Sequence, residues 1–133
     1  MEIEKLSRKD FDGNHNPSIR VTWKGLFAIN KSAVKLLKLE EKNGVSIGYD
    51  KKKINDFVIF KDDKEGWRIR KGWSGSMLFN SCGLAKHVIE ATWRNGEGHQ
   101  AGATMPRSVM FLVARVCVDD KNKDVYALIR KKI

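Results

Sequence analysis

Cysteine is scarce in this chain, long apolar runs are missing, and acids are outnumbered. Two cysteines in 133 residues, Cys82 and Cys117, exclude a disulfide-dense scaffold. Both have apolar neighbours and read as buried thiols in a reducing compartment. No apolar run approaches the ~20 residues that cross a bilayer, so no membrane partner is expected. The start, MEIEKLSRKDF, carries no apolar segment of the secretory kind, and the expected location is cytoplasmic. The three histidines, His15, His87 and His99, are scattered. Cys82 and His87 have no further ligand at zinc-like spacing. There is no paired-carboxylate motif. GEGHQAG lacks the Lys-Ser/Thr that completes a phosphate-binding loop. No enzyme, metal or cofactor is expected.

What is present is positive charge. Lys and Arg number 26 against 16 Asp and Glu, a formal net charge of +10. Such an excess favours polyanions, nucleic acid first among them; an acidic protein partner is the other reading. The basic residues are spread through the chain and its C-terminal end rather than gathered in a detachable tail. Hydrophobic content of 41% and a one-domain length suffice for a core without staples.

The chain also repeats itself. At an offset of fifty, IRVTWKGLFAINKSAVKLLKL (19–39) falls on IRKGWSGSMLFNSCGLAKHVI (69–89) without a gap. Ile19 meets Ile69, Arg20 meets Arg70, Trp23 meets Trp73, Gly25 meets Gly75 and Asn30 meets Asn80. A fixed-offset self-match marks a duplicated structural unit. The downstream hairpins match at sixty-eight: Val45 with Val113, Lys53 with Lys121, Asp56 with Asp124. A Gly-rich insertion, 95–108, separates the two offsets.

Residues 1–18 read as a polar N-terminal arm, with turn chemistry in DGNHNP. Ile19, Val21 and Trp23 alternate with Arg20, Thr22 and Lys24, the period of a half-buried strand. Gly25 punctuates, and Leu26–Ile29 resumes as a second strand. Asn30 is a candidate N-cap for a helix over 31–39, with Ala33, Val34, Leu36 and Leu37 on its apolar side. Asn80 holds the corresponding place before a second helix over 81–93. Strands follow at 45–49, 57–60, 67–71, 76–79, 111–118 and 125–129. In WRIRK, Arg68 and Arg70 fall on one face and Trp67 and Ile69 on the other. Each unit, 19–61 and 67–131, thus reads strand-strand-helix-strand-strand. The expected fold is α+β: one β-rich barrel or sandwich of two ββαββ units, an internal pseudo-dimer. Trp23 and Trp73 share faces with apolar residues and are assigned to its core.

The run Val21–Asp50 resembles the AbrB/SpoVT swapped-hairpin family. Gly25 sits at that family's glycine, Leu37 and Leu39 at its helix end, and Asn43-Gly44 near its turn. Leu26 and Asn30 stand where the family commonly has Arg and Pro. The tandem is similar to the family's MraZ-like arrangement. The resemblance implies a DNA-binding transcription regulator. Candidate contacts to nucleic acid, DNA before RNA, are Arg20, Lys24, Lys51, Lys52, Lys53, Arg68, Arg70 and Lys71. The insertion adds Arg94, His99 and Arg107 as loop contacts. Two readings stand beside this one. The paired β-rich units and four tryptophans resemble Whirly-type single-strand binders, whose aromatics stack on bases. Or the body is an assembly protein of a phage or mobile element, forming a homo-oligomer.

Overall fold

Alternation of apolar and polar residues dominates the chain, and strands dominate the architecture. The structure, a computed structural model, describes residues 2–3, 16–50, 53–96, 98, 100–118 and 124–131. The first strands are β1 (Ser18–Thr22) and β2 (Leu26–Ile29), followed by helix α1 (Lys31–Leu37). Then come β3 (Gly44–Asp50), β4 (Lys53–Lys61), β5 (Trp67–Arg68) and β6 (Arg70–Lys71). A 3-10 turn at Trp73–Gly75 leads to β7 (Met77–Asn80) and helix α2 (Cys82–Asn95). The last strands are β8 (Ser108–Val118) and β9 (Asp124–Arg130). Among the described residues, neither helix is long and apolar enough to cross a membrane.

The strands form one nine-stranded sheet in the order β5-β3-β4-β9-β8-β1-β2-β7-β6, with every pairing antiparallel. Its two edges are halves of a single segment. Trp67–Lys71 is interrupted at Ile69, whose N–H donates to the Asn43 carbonyl at 3.1 Å. The half before the break pairs with β3 and the half after it with β7. The sheet therefore nearly closes on itself as a barrel, which leaves little edge unpaired.

One face of every strand is buried. Ile19, Val21, Phe27, Ile29, Val45, Ile59, Ile69, Phe79, Phe111 and Leu128 lie in a single cluster with Ala33, Val34 and Leu37 of α1 and Ala85, Val88 and Ile89 of α2. Phe27 and Phe79 are paired across β2 and β7 and stack at 4.5 Å between ring centroids. Trp67 stacks on the Phe79 ring at 5.9 Å. The Tyr126 hydroxyl donates to the Leu36 carbonyl at 3.2 Å and ties β9 to α1.

Several sequence expectations need correction. Asn30 does cap α1, its Oδ1 accepting from Ala33 N at 2.9 Å, but the cap of α2 is Ser81, which accepts from Leu84 N at 3.3 Å. Asn80 is the exposed last residue of β7. Cys82 is not buried. It occupies the first turn of α2, away from the Ala85, Val88 and Ile89 stripe, and its thiol donates to the Lys24 carbonyl at 3.2 Å. Cys117 lies where side chains fall outside the described residues. Trp23 packs partly on the core, whereas Trp73 is 90% exposed. The strand ends at Lys71, so the period of two does not continue into the loop. There Ser74 and Gly75 take positive φ values of 52° and 84°.

Candidate nucleic-acid interface

The face of each strand opposite the core is open, and its chemistry can be read strand by strand. On β1 the buried Ile19 and Val21 flank Arg20, which is exposed. On β6 Arg70 follows the buried Ile69 and is likewise exposed. Hydrogen-bond register brings these two arginines into one line. Arg20 is opposite Ala28 of β2; Ala28 is opposite Leu78 of β7; Leu78 is opposite Arg70. In the other direction Arg20 is opposite Met110 of β8. The Met110 carbonyl accepts from the N–H of Lys131 at 2.8 Å. The crosswise row is therefore Lys131, Met110, Arg20, Ala28, Leu78, Arg70. Its cations are exposed and its apolar members half-buried.

With neighbouring strands ~4.8 Å apart, three steps set the Arg20 and Arg70 backbones ~14 Å apart across the sheet. Nothing bulky stands between them. A side chain at Gly72, beyond Arg70, would come within 2.9 Å of the Leu78 side chain, so glycine there keeps this surface low. Among the described residues no ion pair engages Arg20 or Arg70, and their charge stays available to a ligand.

The other sequence-predicted cations are placed differently. Lys24 is exposed in the loop joining β1 to β2. Arg107 lies next to that loop, its carbonyl accepting from Trp23 N at 2.7 Å. The Lys86 ammonium of α2 sits 5.5 Å from the Trp23 ring centroid, a cation–π contact. Arg68 donates from Nη1 to the Lys42 carbonyl at 2.7 Å. Lys71 pairs with Met77, a core residue, and so alternates away from Arg70; its Nζ is 3.7 Å from Glu41 Oε2. Arg94, at the end of α2, is ion-paired with Glu90 one turn earlier. Lys53 opens β4 in a stretch whose side chains are not described, and Lys51, Lys52 and His99 lie outside the described residues. The row thus gathers Arg20 and Arg70 and leaves Lys71, Arg68 and Arg94 out.

Lys131 and Lys86 were not among the residues predicted from sequence. Lys131 was within reach: Ala127, Ile129 and Lys131 alternate with the buried Tyr126 and Leu128. An open cavity of about 290 Å³ beside α1 is lined by Leu37, Lys38, Lys61, Asp124 and Tyr126. Lys61 is already spent there, donating to the Lys38 carbonyl at 2.8 Å. Among the described residues, no three His, Cys, Asp or Glu side chains are grouped so that they could hold a metal ion. Comparison of the chain with protein-family models, with curated proteins and with solved structures finds no match.

Proposed function

We propose that this chain is a non-enzymatic, cytoplasmic DNA-binding protein, a transcription regulator of AbrB-like type built as an internal pseudo-dimer of two ββαββ units. The observation that carries the reading is the row that sets Arg20 and Arg70 on one open sheet face. Guanidinium groups held in register on a rigid sheet bind phosphate and position the ligand. A separation of ~14 Å suits two phosphates at the lips of a groove ~12 Å wide.

Strand register supports the duplication. An offset of fifty makes Ala28 the counterpart of Leu78, and these two residues are opposite one another. The same offset turns the pairs Arg20–Ala28 and Val21–Phe27 into Arg70–Leu78 and Lys71–Met77, which are the pairs found. With sixty-eight for the third strands, Ser18–Leu112 becomes Arg68–Gly44, again a pair that is found. The turns behave alike. Gly25 and Gly75 both have positive φ, and each abuts the first residue of the other unit's helix, Cys82 and Lys31 respectively. On this reading a dyad passes between Ala28 and Leu78, and Arg20 and Arg70 are its equivalent partners.

The test is a fluorescence-anisotropy titration of a mixed-sequence duplex at 50 and 200 mM salt. Each phosphate contact contributes about −0.9 to the slope of log K against log salt. Removing both arginines (Arg20→Ala with Arg70→Ala) is expected to flatten the slope by about 1.8 and each single change by about half that. A double variant with unchanged slope and affinity would remove the row as the binding surface.

A further inference from the structure

Trp73 occupies the loop between β6 and β7, within three residues of Arg70. Ninety per cent of it is exposed. Its counterpart in the repeat, Trp23, packs partly on the core and has a lysine ammonium over its ring. A bare indole on the surface of a monomeric protein is a liability unless something stacks on it.

The loop is braced, so the ring is presented rather than left to swing. Gly72 N donates to Ser76 O at 2.9 Å, and Ser76 N donates back to Trp73 O at 2.9 Å. Gly75 rests on the aliphatic stem of Lys31: a Cβ at this glycine would lie 3.2 Å from Lys31 Cγ and Cδ. Lys31, Arg70 and Lys71 are all exposed cations near the loop in the chain or in space. An aromatic face surrounded by cations, on a chain of net charge +10, suits a base with its phosphate rather than an apolar peptide. At no more than ~3.3 Å per residue, Trp73 lies within ~10 Å of Arg70, so one strand of nucleic acid can reach both.

Resting on the DNA-binding reading above, we propose that Trp73 is a stacking site for an unpaired nucleobase at the end of the arginine row. The preferred ligand is then DNA that offers an unpaired base: a single strand, or a duplex with an overhang. In a closed duplex every base is already stacked on its neighbours and none is available to the indole.

The test uses the full chain and three labelled probes: oligo-dT, a blunt duplex, and the same duplex with a short dT overhang. Stacking of one base is worth about 1–3 kcal/mol, a factor of roughly 5 to 150 in affinity. Trp73→Ala is expected to weaken oligo-dT by such a factor and to leave the blunt duplex within twofold. Trp73→Phe should restore much of the loss. An overhang probe that follows oligo-dT would assign the ligand to an unpaired base at a junction; one that follows the blunt duplex would restrict it to free single strands. Equal losses on oligo-dT and blunt duplex, or no loss on either, would overturn the stacking site. In the latter case a loss with Arg20→Ala and Arg70→Ala leaves the phosphate row standing. No binding of any probe by the wild-type chain at low salt would remove both.

Discussion

Asn30 is the most heavily used polar side chain in the fold, and replacing it makes a sharp test. Its Oδ1 accepts from Ala33 N at 2.9 Å and from Ser18 N at 3.0 Å. Its Nδ2 donates to Asn16 O at 2.8 Å and to Ser18 Oγ at 2.9 Å. One side chain therefore starts α1 and fastens the entry of β1. Asn30→Ala removes the cap, about 1 kcal/mol. It also strands the N–H of Ser18, a residue only 3% exposed, which costs about 1–3 kcal/mol more. The expected loss is about 2–4 kcal/mol, out of the 5–15 kcal/mol that stabilises a typical domain. Asn30→Asp keeps both acceptor bonds and gains from the helix dipole, but turns an oxygen toward the Asn16 carbonyl; it should fall between wild type and alanine. Asn80→Ala, at the matching place of the repeat, should lie within about 0.5 kcal/mol of wild type, because Ser81 is the cap there. Urea unfolding followed by far-UV circular dichroism measures all three, with an unchanged m-value showing that only stability moved. If Asn30→Ala cost no more than Asn80→Ala, the reasoning would be wrong.

Two further outcomes follow from the packing. Phe27→Ala and Phe79→Ala should each destabilise by about 3–5 kcal/mol; because the rings stack, their double variant should lose about 0.5–1.5 kcal/mol less than the sum, and strict additivity in a denaturation cycle would deny the stack. Gly25→Ala should destabilise by about 1–3 kcal/mol, since φ is 108° and the new Cβ would lie 2.9 Å from Cys82 N and Sγ, while Gly83→Ala, with open space around it in α2, should raise the thermal midpoint through better helix propensity.

What could be read in advance is what burial of one sheet face imposes. Ile19, Val21, Phe27 and Ile29 alternate because they face the core, so β1 and β2 were legible to within a residue, and Arg20 could be placed on the open face. The β-rich α+β character followed from the same alternation. Ends and loops were not legible. Alternation carries no information past the last paired residue, which is why Trp73 was assigned to a core it does not enter. The repeat aligned Asn30 with Asn80, but α2 starts one residue later relative to that alignment, and the adjacent Ser81 has the side chain that reaches Leu84 N. Cys82 looked buried from its composition alone; a helix's first turn does not have to present its apolar side. Arg20 and Arg70 were each visible as outward residues. That they stand in one row depends on three inter-strand registers, and no local pattern encodes a register between distant strands.

The insertion accounts for the one asymmetry that bears on ligand choice. α1 is a seven-residue helix and the chain returns from it to β3 directly, whereas α2 has fourteen residues and is followed by the 95–108 segment. That segment lays Met105 against the core and brings the Arg107 carbonyl to Trp23 N. Trp23 is thereby flanked, and no comparable segment follows α1 to flank Trp73. On the proposed duplication, phosphate contacts come from positions related by a dyad, and such a pair engages a strand equally well in either direction. A single exposed indole at one end of the row does not share that symmetry. A strand running one way meets the ring with a base where a strand running the other way meets it with its backbone. The arginine row would then supply most of the affinity, and Trp73 the sense of direction.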